Sequence, residues 1–262
     1  MSPNAYYNYK ASRKAVYYEE KERIKETIVD IYHEYSGRPG YRMMMVFLRR
    51  RGIFLSLRTV HKYMKELKLR SIRASRKPRY HKGECYKKFE NLLKQDFTAD
   101  SPNEKWCTDF THLFLKDGAK RYNCSIIDLY DRSPVATLNG KRITAELATD
   151  TLKLALGKNK VGDGLIVHSD QGSQFTSLEF TEFCAGLGIK QSMSRAGCPY
   201  DNSPMESFYG TFKSEYINEH SFETDEDLNN GILDYVYCYY NHIRPHSYNG
   251  YLTPFEKRNS HK

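Results

Sequence analysis

Gly164–Ser177 reads GLIVHSDQGSQFTS, and the reading of the whole chain turns on it. Leu165, Ile166 and Val167 form a short apolar run, the pattern of a strand buried on both faces. Three residues on, Asp170 opens a loop of Gln, Gly and Ser. A carboxylate at the mouth of a buried strand is costly to desolvate unless something compensates it. Backbone N–H groups of the turn would do so; so would a metal ion.

The neighbouring segments give that strand a setting. KWCTDFTHLFLKDG (105–118) is a strand ending at a Gly turn, and RYNCSIIDLYDRSP (121–134) and PVATLNG (134–140) are two more, close enough for an antiparallel meander. TAELATDTLKLAL (144–156) is an amphipathic helix, SLEFTEFCAGLG (177–188) a helix ended by glycine, and IKQSMS (189–194) a short strand. Helices are expected over Ser203–Ile217 and Asp225–Tyr240. Three strands, then alternating helix and strand, then helices imply an α/β layer with a mixed sheet.

Charge divides the chain. Residues 1–95 hold 24 Lys and Arg against 9 Asp and Glu, while residues 96–262 hold 17 against 23. A basic third beside a mildly acidic remainder points to a polyanion-binding module joined to something with another task. Within the basic third, residues 19–35 carry Ile24, Ile28, Ile31 and Tyr35 at helical spacing, and Gly37, Pro39 and Gly40 end that helix. Met43–Arg51 is a second helix, and Ser56 caps a third with Val60, Met64 and Leu67 on one face. Two short helices joined by a Gly-containing turn, the second rich in cations, resemble a helix-turn-helix. Arg58, Lys62, Lys65 and, just beyond the helix, Arg70 are its candidate DNA contacts. The chain thus divides into a basic helical, helix-turn-helix-like DNA-binding segment over 1–70, a basic linker over 71–95 and a core over 96–260.

Four acids in the core invite attention, each with a plain structural explanation. Asp109 lies among Trp106, Cys107, Phe110 and Leu113 and needs a cation, a donor or a metal. Asp170 fits a turn cap, and Asp128 fits an ion pair with Arg132. Ser203-Pro204-Met205-Glu206 fits a capping box, with Ser at the N-cap and Glu at N3. On the same helix Met205, Phe208, Phe212 and Tyr216 share a core-facing side. Glu206, Tyr209 and Lys213 fall on a second, exposed edge, with Glu206 and Lys213 about 10 Å apart. Acids on a first strand, at the end of a later strand and at a helix start can converge at one end of a twisted sheet, where open α/β folds place their sites.

WCTDFTHL, VHSDQGSQFTS and NSPMESFYGTFKSEY resemble the three acidic motifs of the DDE transposase and retroviral-type integrase superfamily. Thirty-five residues separate Asp170 from Glu206, a spacing that retroviral integrases share with the insertion-sequence-three family of bacterial transposases. YYNHIRPHSYNGYLTPFE resembles that bacterial family's C-terminal signature, and GRPGYRMM with LRTVHKYMKEL its helix-turn-helix-like segment. The resemblance runs from about residue 20 to residue 257. It implies a ribonuclease H-like core in which Asp109, Asp170 and Glu206 are catalytic and hold two divalent ions, Mg²⁺ or Mn²⁺. Lys213 matches the basic position where the family contacts DNA. The implied reaction is metal-dependent DNA strand cleavage and strand transfer on transposon-end and target DNA.

The implied setting is a homo-oligomer assembled on DNA, in the bacterial cytoplasm at the nucleoid. The chain has no His/Cys zinc module of the retroviral kind and no sustained heptads, so it resembles a second-frame product, expected to act with or fused to the first-frame protein of its element. Two alternatives share parts of this reading: a DNA-binding regulator of transposition that does not itself catalyse, and a nuclease acting on RNA–DNA hybrids. Composition narrows the classes further. No run approaches the roughly 18 apolar residues of a membrane span, and no apolar N-terminal stretch reads as a signal peptide. The cysteines at 85, 107, 124, 184, 198 and 238 form no CxxC pair and suggest reduced thiols.

Overall fold

The computed structural model describes residues 13–72 and 89–260, which fall into two compact units, one on either side of residues 74–75. In the first, α1 (Arg13–Glu34), α2 (Tyr41–Arg50) and α3 (Leu57–Glu66) close on Ile24, Ile28, Ile31, Met44, Leu48, Val60 and Met64. The isoleucine spacing of α1 and the stripe of α3 dictate this packing. α1 begins six residues ahead of the expected start; residues 14–19 are exposed and carry no apolar period by which the sequence could mark them as helical. Gly37 ends the α1 turn at φ 75°, a conformation glycine adopts at little cost, and its N–H reaches Tyr32 O at 2.8 Å. Ser56 Oγ accepts from Thr59 N at 3.2 Å, the expected cap.

The second unit is built on a five-stranded mixed sheet of β1 (Lys105–Phe114), β2 (Lys120–Asp128), β3 (Pro134–Gly140), β4 (Ile166–Ser169) and β5 (Lys190–Met193), in the order β3-β2-β1-β4-β5. The first three strands are the expected antiparallel meander; β1, β4 and β5 run parallel. α4 (Ala145–Lys158) and α5 (Leu178–Gly186) cover one face over Trp106, Ile126, Leu152, Val167 and Phe180. α6 (Ser203–Glu215) packs against β1, burying Met205, Phe208 and Phe212. β4 pairs with β1 only along Lys105–Cys107. From Asp109 onward that edge of β1 has no strand partner among the described residues, and the two strands diverge into a crevice.

Several expectations change here. Of the expected linker 71–95, residues 73–88 lie outside the described residues, and residues 89–95 are folded into the second unit. Leu93 is buried, and Leu92 N donates to Ser192 Oγ at 2.9 Å. The helix expected over Asp225–Tyr240 divides into α7 (Asp225–Leu233) and a π-helical stretch, Asp234–Ile243. Its buried residues, Tyr235, Val236, Tyr239 and Tyr240, recur at four and five, which suits the wider turn. Asp128 does not pair with Arg132. It is bound by Arg258 of α8 (Pro254–Asn259), 2.5 Å away, because the C-terminal helix returns to the sheet, a contact no local pattern reveals. Arg132 instead donates to Phe97 O and lies over the Tyr248 ring. Among the described residues, no helix is long and apolar enough to cross a membrane.

Candidate active site

Asp109 stands midway along β1, Asp170 one residue past β4, and Glu206 in the first turn of α6. All three line one open cleft of about 440 Å³, walled by the loops 171–174 and 194–199. The crevice forms where β1 and β4 diverge, so the apolar run that buries β4 also delivers Asp170 to its mouth. Asp170 does cap its turn, accepting from Gly172 N at 2.9 Å through Oδ1. Capping and cleft-lining therefore coexist. A Cβ at Gly172 would meet Asp170 Oδ1 at 2.9 Å and overlap the Gln174 amide, so any larger residue there would have to displace these two side chains.

The capping box at Ser203 does not form. A 3₁₀ turn, Pro199–Asn202, runs straight into α6, which places Ser203 already at helical dihedrals and makes Asn202 the N-cap without a side-chain cap. The Asn202 amide is drawn to Thr108 O instead. Glu206 is thus exposed and free of the task that best explained it structurally.

Burial raises the Asp109 carboxyl well above the usual carboxylate range, and the neighbouring charges of Asp170 and Glu206 raise it further. Its own amide neighbour, Phe110 N at 2.7 Å, and the Lys213 ammonium oppose this. Desolvation also raises Asp170 and Glu206. Among the described residues no cation forms an ion pair with any of the three. Like charges crowded without a partner call for a cation. The donor set is oxygen only, which suits a hard divalent ion such as Mg²⁺. The described residues contain no group of three acids, histidines or cysteines poised to hold a metal. The residues fit a divalent ion in chemistry and in shared cleft, with ligation left to approach of the side chains.

Three supports went unnoticed in the sequence. Tyr209 is buried rather than on the exposed edge, and its hydroxyl donates to Asp109 O at 2.7 Å, tying α6 to β1. His168 is buried between Ser192 Oγ and Ser194 Oγ, at 2.8 and 3.1 Å, and burial lowers its basicity to about 4, so it spans the β4 and β5 ends as a neutral ring. Asp201, fully buried, holds the cleft wall through Arg195 and fastens it to Asn91 and Gln95. A histidine in an apolar strand was a signal; Asp201 and Tyr209 gave none, since their partners are up to 110 residues away.

Lys213 lies half-buried on α6, its charge felt by Asp109, and burial lowers its basicity. Arg58, Lys62 and Lys65 are exposed on α3, and Arg70 is exposed beyond it.

Comparison with known proteins sets this geometry in a class. The Integrase core domain family matches residues 99–199 and, in a second form, 187–254; an HTH-like domain matches 19–77. A solved structure of the simian T-cell lymphotropic virus intasome in complex with PP2A regulatory subunit B56 gamma is similar at a TM-score of 0.51 and 16% identity. That likeness covers 82% of this chain and 70% of the other, and it is one of fold. The second unit is an integrase catalytic core, of the DDE polynucleotidyl transferase type. The transposase for insertion sequence element IS904 of Lactococcus lactis is 38% identical over 245 residues, covering 92% of this chain and 96% of that one. The putative transposase InsK for insertion sequence element IS150 of Escherichia coli is 35% identical over 254 residues, covering 97% and 88%. The chain belongs to the IS3 family of insertion-sequence transposases.

Proposed function

We propose that Asp109, Asp170 and Glu206 are the catalytic acids of this transposase and that together they hold two divalent ions, Mg²⁺ or Mn²⁺, at the scissile phosphate. When bound, such ions activate an attacking oxygen and stabilise the leaving one. The chain's own residues supply the frame. Tyr209 fixes the Asp109 peptide against α6, Gly172 leaves room for the Asp170 carboxylate, and exposed Glu206 can move toward an ion on a rigid helix. Water attacks a phosphodiester at the element's end and frees a 3′-OH. That hydroxyl then attacks a target phosphodiester, so bonds broken and formed balance and no side-chain nucleophile is needed. DNA is the partner of both units: Arg58, Lys62, Lys65 and Arg70 are proposed contacts of the first, and Lys213 of the second. The first-frame protein of the element and further copies of this chain complete the assembly, at the nucleoid in the cytoplasm.

The observation that carries this reading is the convergence of three carboxylates, from one strand, the end of a second and a helix, in one cleft with no ion-pair partner among the described residues. The test is metal-dependent cleavage and joining of cognate end DNA. Asp170→Asn is expected to bind that DNA and leave it uncut; wild-type cleavage by this variant would sink the assignment.

A further inference from the structure

The β4–β5 pairing carries a chain of hydrogen bonds that ends at the acid cleft and that the reaction above leaves unused. Ile166–Ser169 run parallel to Lys190–Met193 in unbroken register, with His168 beside Ser192 and Ser169 beside Met193. Just past the paired segment, Ser194 N donates to Ser169 O at 2.9 Å, which seats Ser194 next to the turn that holds Asp170. Alternation along the strands sets His168, Ser192 and Ser194 on one face of the sheet. Cys107 of β1 pairs with His168, so Asp109, two residues further along β1, shares that face. Ser194 lines the same cleft as Asp109, Asp170 and Glu206.

The direction of the chain follows from its donors and acceptors. His168 and Ser192 are fully buried, whereas Ser194 keeps 6% of its surface exposed. Ser192 Oγ accepts from Leu92 N at 2.9 Å, and its other contact among the described residues is His168 Nδ1 at 2.8 Å. If Nδ1 carried the ring proton, the buried Ser192 hydroxyl would hold its own proton without an acceptor, which is unfavourable. The ring proton therefore lies on Nε2. Ser192 O–H donates to Nδ1, and Nε2–H donates to Ser194 Oγ, 3.1 Å away. Ser194 is left with a hydroxyl proton that has no acceptor among the described residues, on the one member of the chain that reaches the cleft. We infer that Ser194 is a substrate contact: its hydroxyl donates to a non-bridging oxygen of the scissile phosphate, aimed by Leu92, Ser192 and His168. A donor fixed in this way binds more strongly as charge builds on that oxygen in the transition state, and it need not reorganise to do so. This rests on the acid cleft being the site of strand cleavage.

The test is single-turnover cleavage of end DNA by the full chain in Mn²⁺, a softer ion than Mg²⁺ that accepts sulfur more readily. The scissile phosphate carries oxygen at both non-bridging positions, or sulfur at one or the other. Ser194→Ala is expected to slow cleavage of the all-oxygen substrate about tenfold or more, with DNA affinity within about twofold of wild type. Sulfur accepts hydrogen bonds poorly, so with one thio diastereomer the same substitution is expected to slow cleavage by about twofold or less. With the other diastereomer the effect stays at about tenfold. A substitution that merely loosened the cleft wall would slow every substrate alike; that result, or a wild-type rate for Ser194→Ala, overturns the contact. Apart from activity, nitrogen NMR of histidine-labelled wild-type protein is expected to show His168 as the Nε2–H tautomer, and the Nδ1–H tautomer would overturn the aim. Failure of the catalytic reading is distinguishable: it is marked by an active Asp170→Asn, whereas failure of this contact alone leaves Asp170→Asn inactive and Ser194→Ala at the wild-type rate.

Discussion

Asp109 on β1 and Asp128 on β2 are carboxylates within one sheet, three steps of the register apart. Asp128 accepts from Asn103 N at 2.8 Å and Tyr130 N at 3.0 Å, and it shares Arg258 with Asp131. Burial and the Asp131 charge push it up to about 6, with Arg258 pulling back. Among the described residues the Asp109 carboxylate accepts only from the amide of its own neighbour, and beside it lie two further acids instead of an arginine. Burial is common to both. What differs is whether the protein supplies the countercharge. Where it does, the carboxylate fastens α8 to the sheet; where it does not, the acids are the ones proposed above to hold a divalent ion.

The comparison is broken most forcefully at Asp109 itself. Asp109→Asn is expected to reduce strand cleavage by at least about 10²-fold while DNA affinity is kept. Single-turnover cleavage beside a binding titration checks this, and parallel loss of both would make Asp109 a structural residue like Asp128. Arg258→Ala carries the converse expectation. Removing the partner of two buried carboxylates should destabilise the second unit by about 3 kcal/mol in urea unfolding. Part of that loss should return in acid, as Asp128 takes up a proton.

Tyr209→Phe tests the link between the two kinds of site. It removes the phenolic hydrogen bond to the Asp109 carbonyl, at about 1 kcal/mol, and should raise the Mg²⁺ concentration needed for half-maximal cleavage. A purely structural phenol would lower stability without moving that requirement.

A pH series sharpens the electrostatic contrast. The raised Asp109 carboxyl means that the folded chain holds its proton more tightly than the unfolded chain does, so stability falls as pH rises through the interval between the two values. In metal-free protein, Asp109→Asn should therefore unfold at a higher temperature than wild type at neutral pH. That gain should vanish once pH falls below the ordinary carboxylate value.

The smallest effect is expected at Ser203. With no capping box, Ser203→Ala should cost under about 0.5 kcal/mol and leave cleavage near wild type. Glu206→Gln should fold as well as wild type and lose cleavage. An active Glu206→Gln, with Ser203→Ala as harmful as Glu206→Ala, would restore the cap as the glutamate's task.

The linear chain by itself determined the order of strands and helices, because burial imprints period two or 3.6 on each segment and glycine marks the ends. It also determined which acids were worth following, since a carboxylate in an apolar strand is legible without knowing its neighbours. Tertiary structure decided which of them remain unpaired. Asp128 and Asp109 look alike locally, and the arginine that separates their fates lies 130 residues from the first of them. It likewise decided that Ser203 would not cap α6, because a turn fastened by Asp201 to Arg195, Asn91 and Gln95 enters the helix one residue early. Tyr209 was placed on the solvent side by helical spacing alone and proved to be buried, because its partners sit on strands that the spacing cannot see. Periodicity records how much of a segment is buried; only the folded chain fixes against which atoms, and a carboxylate's chemistry depends on those atoms.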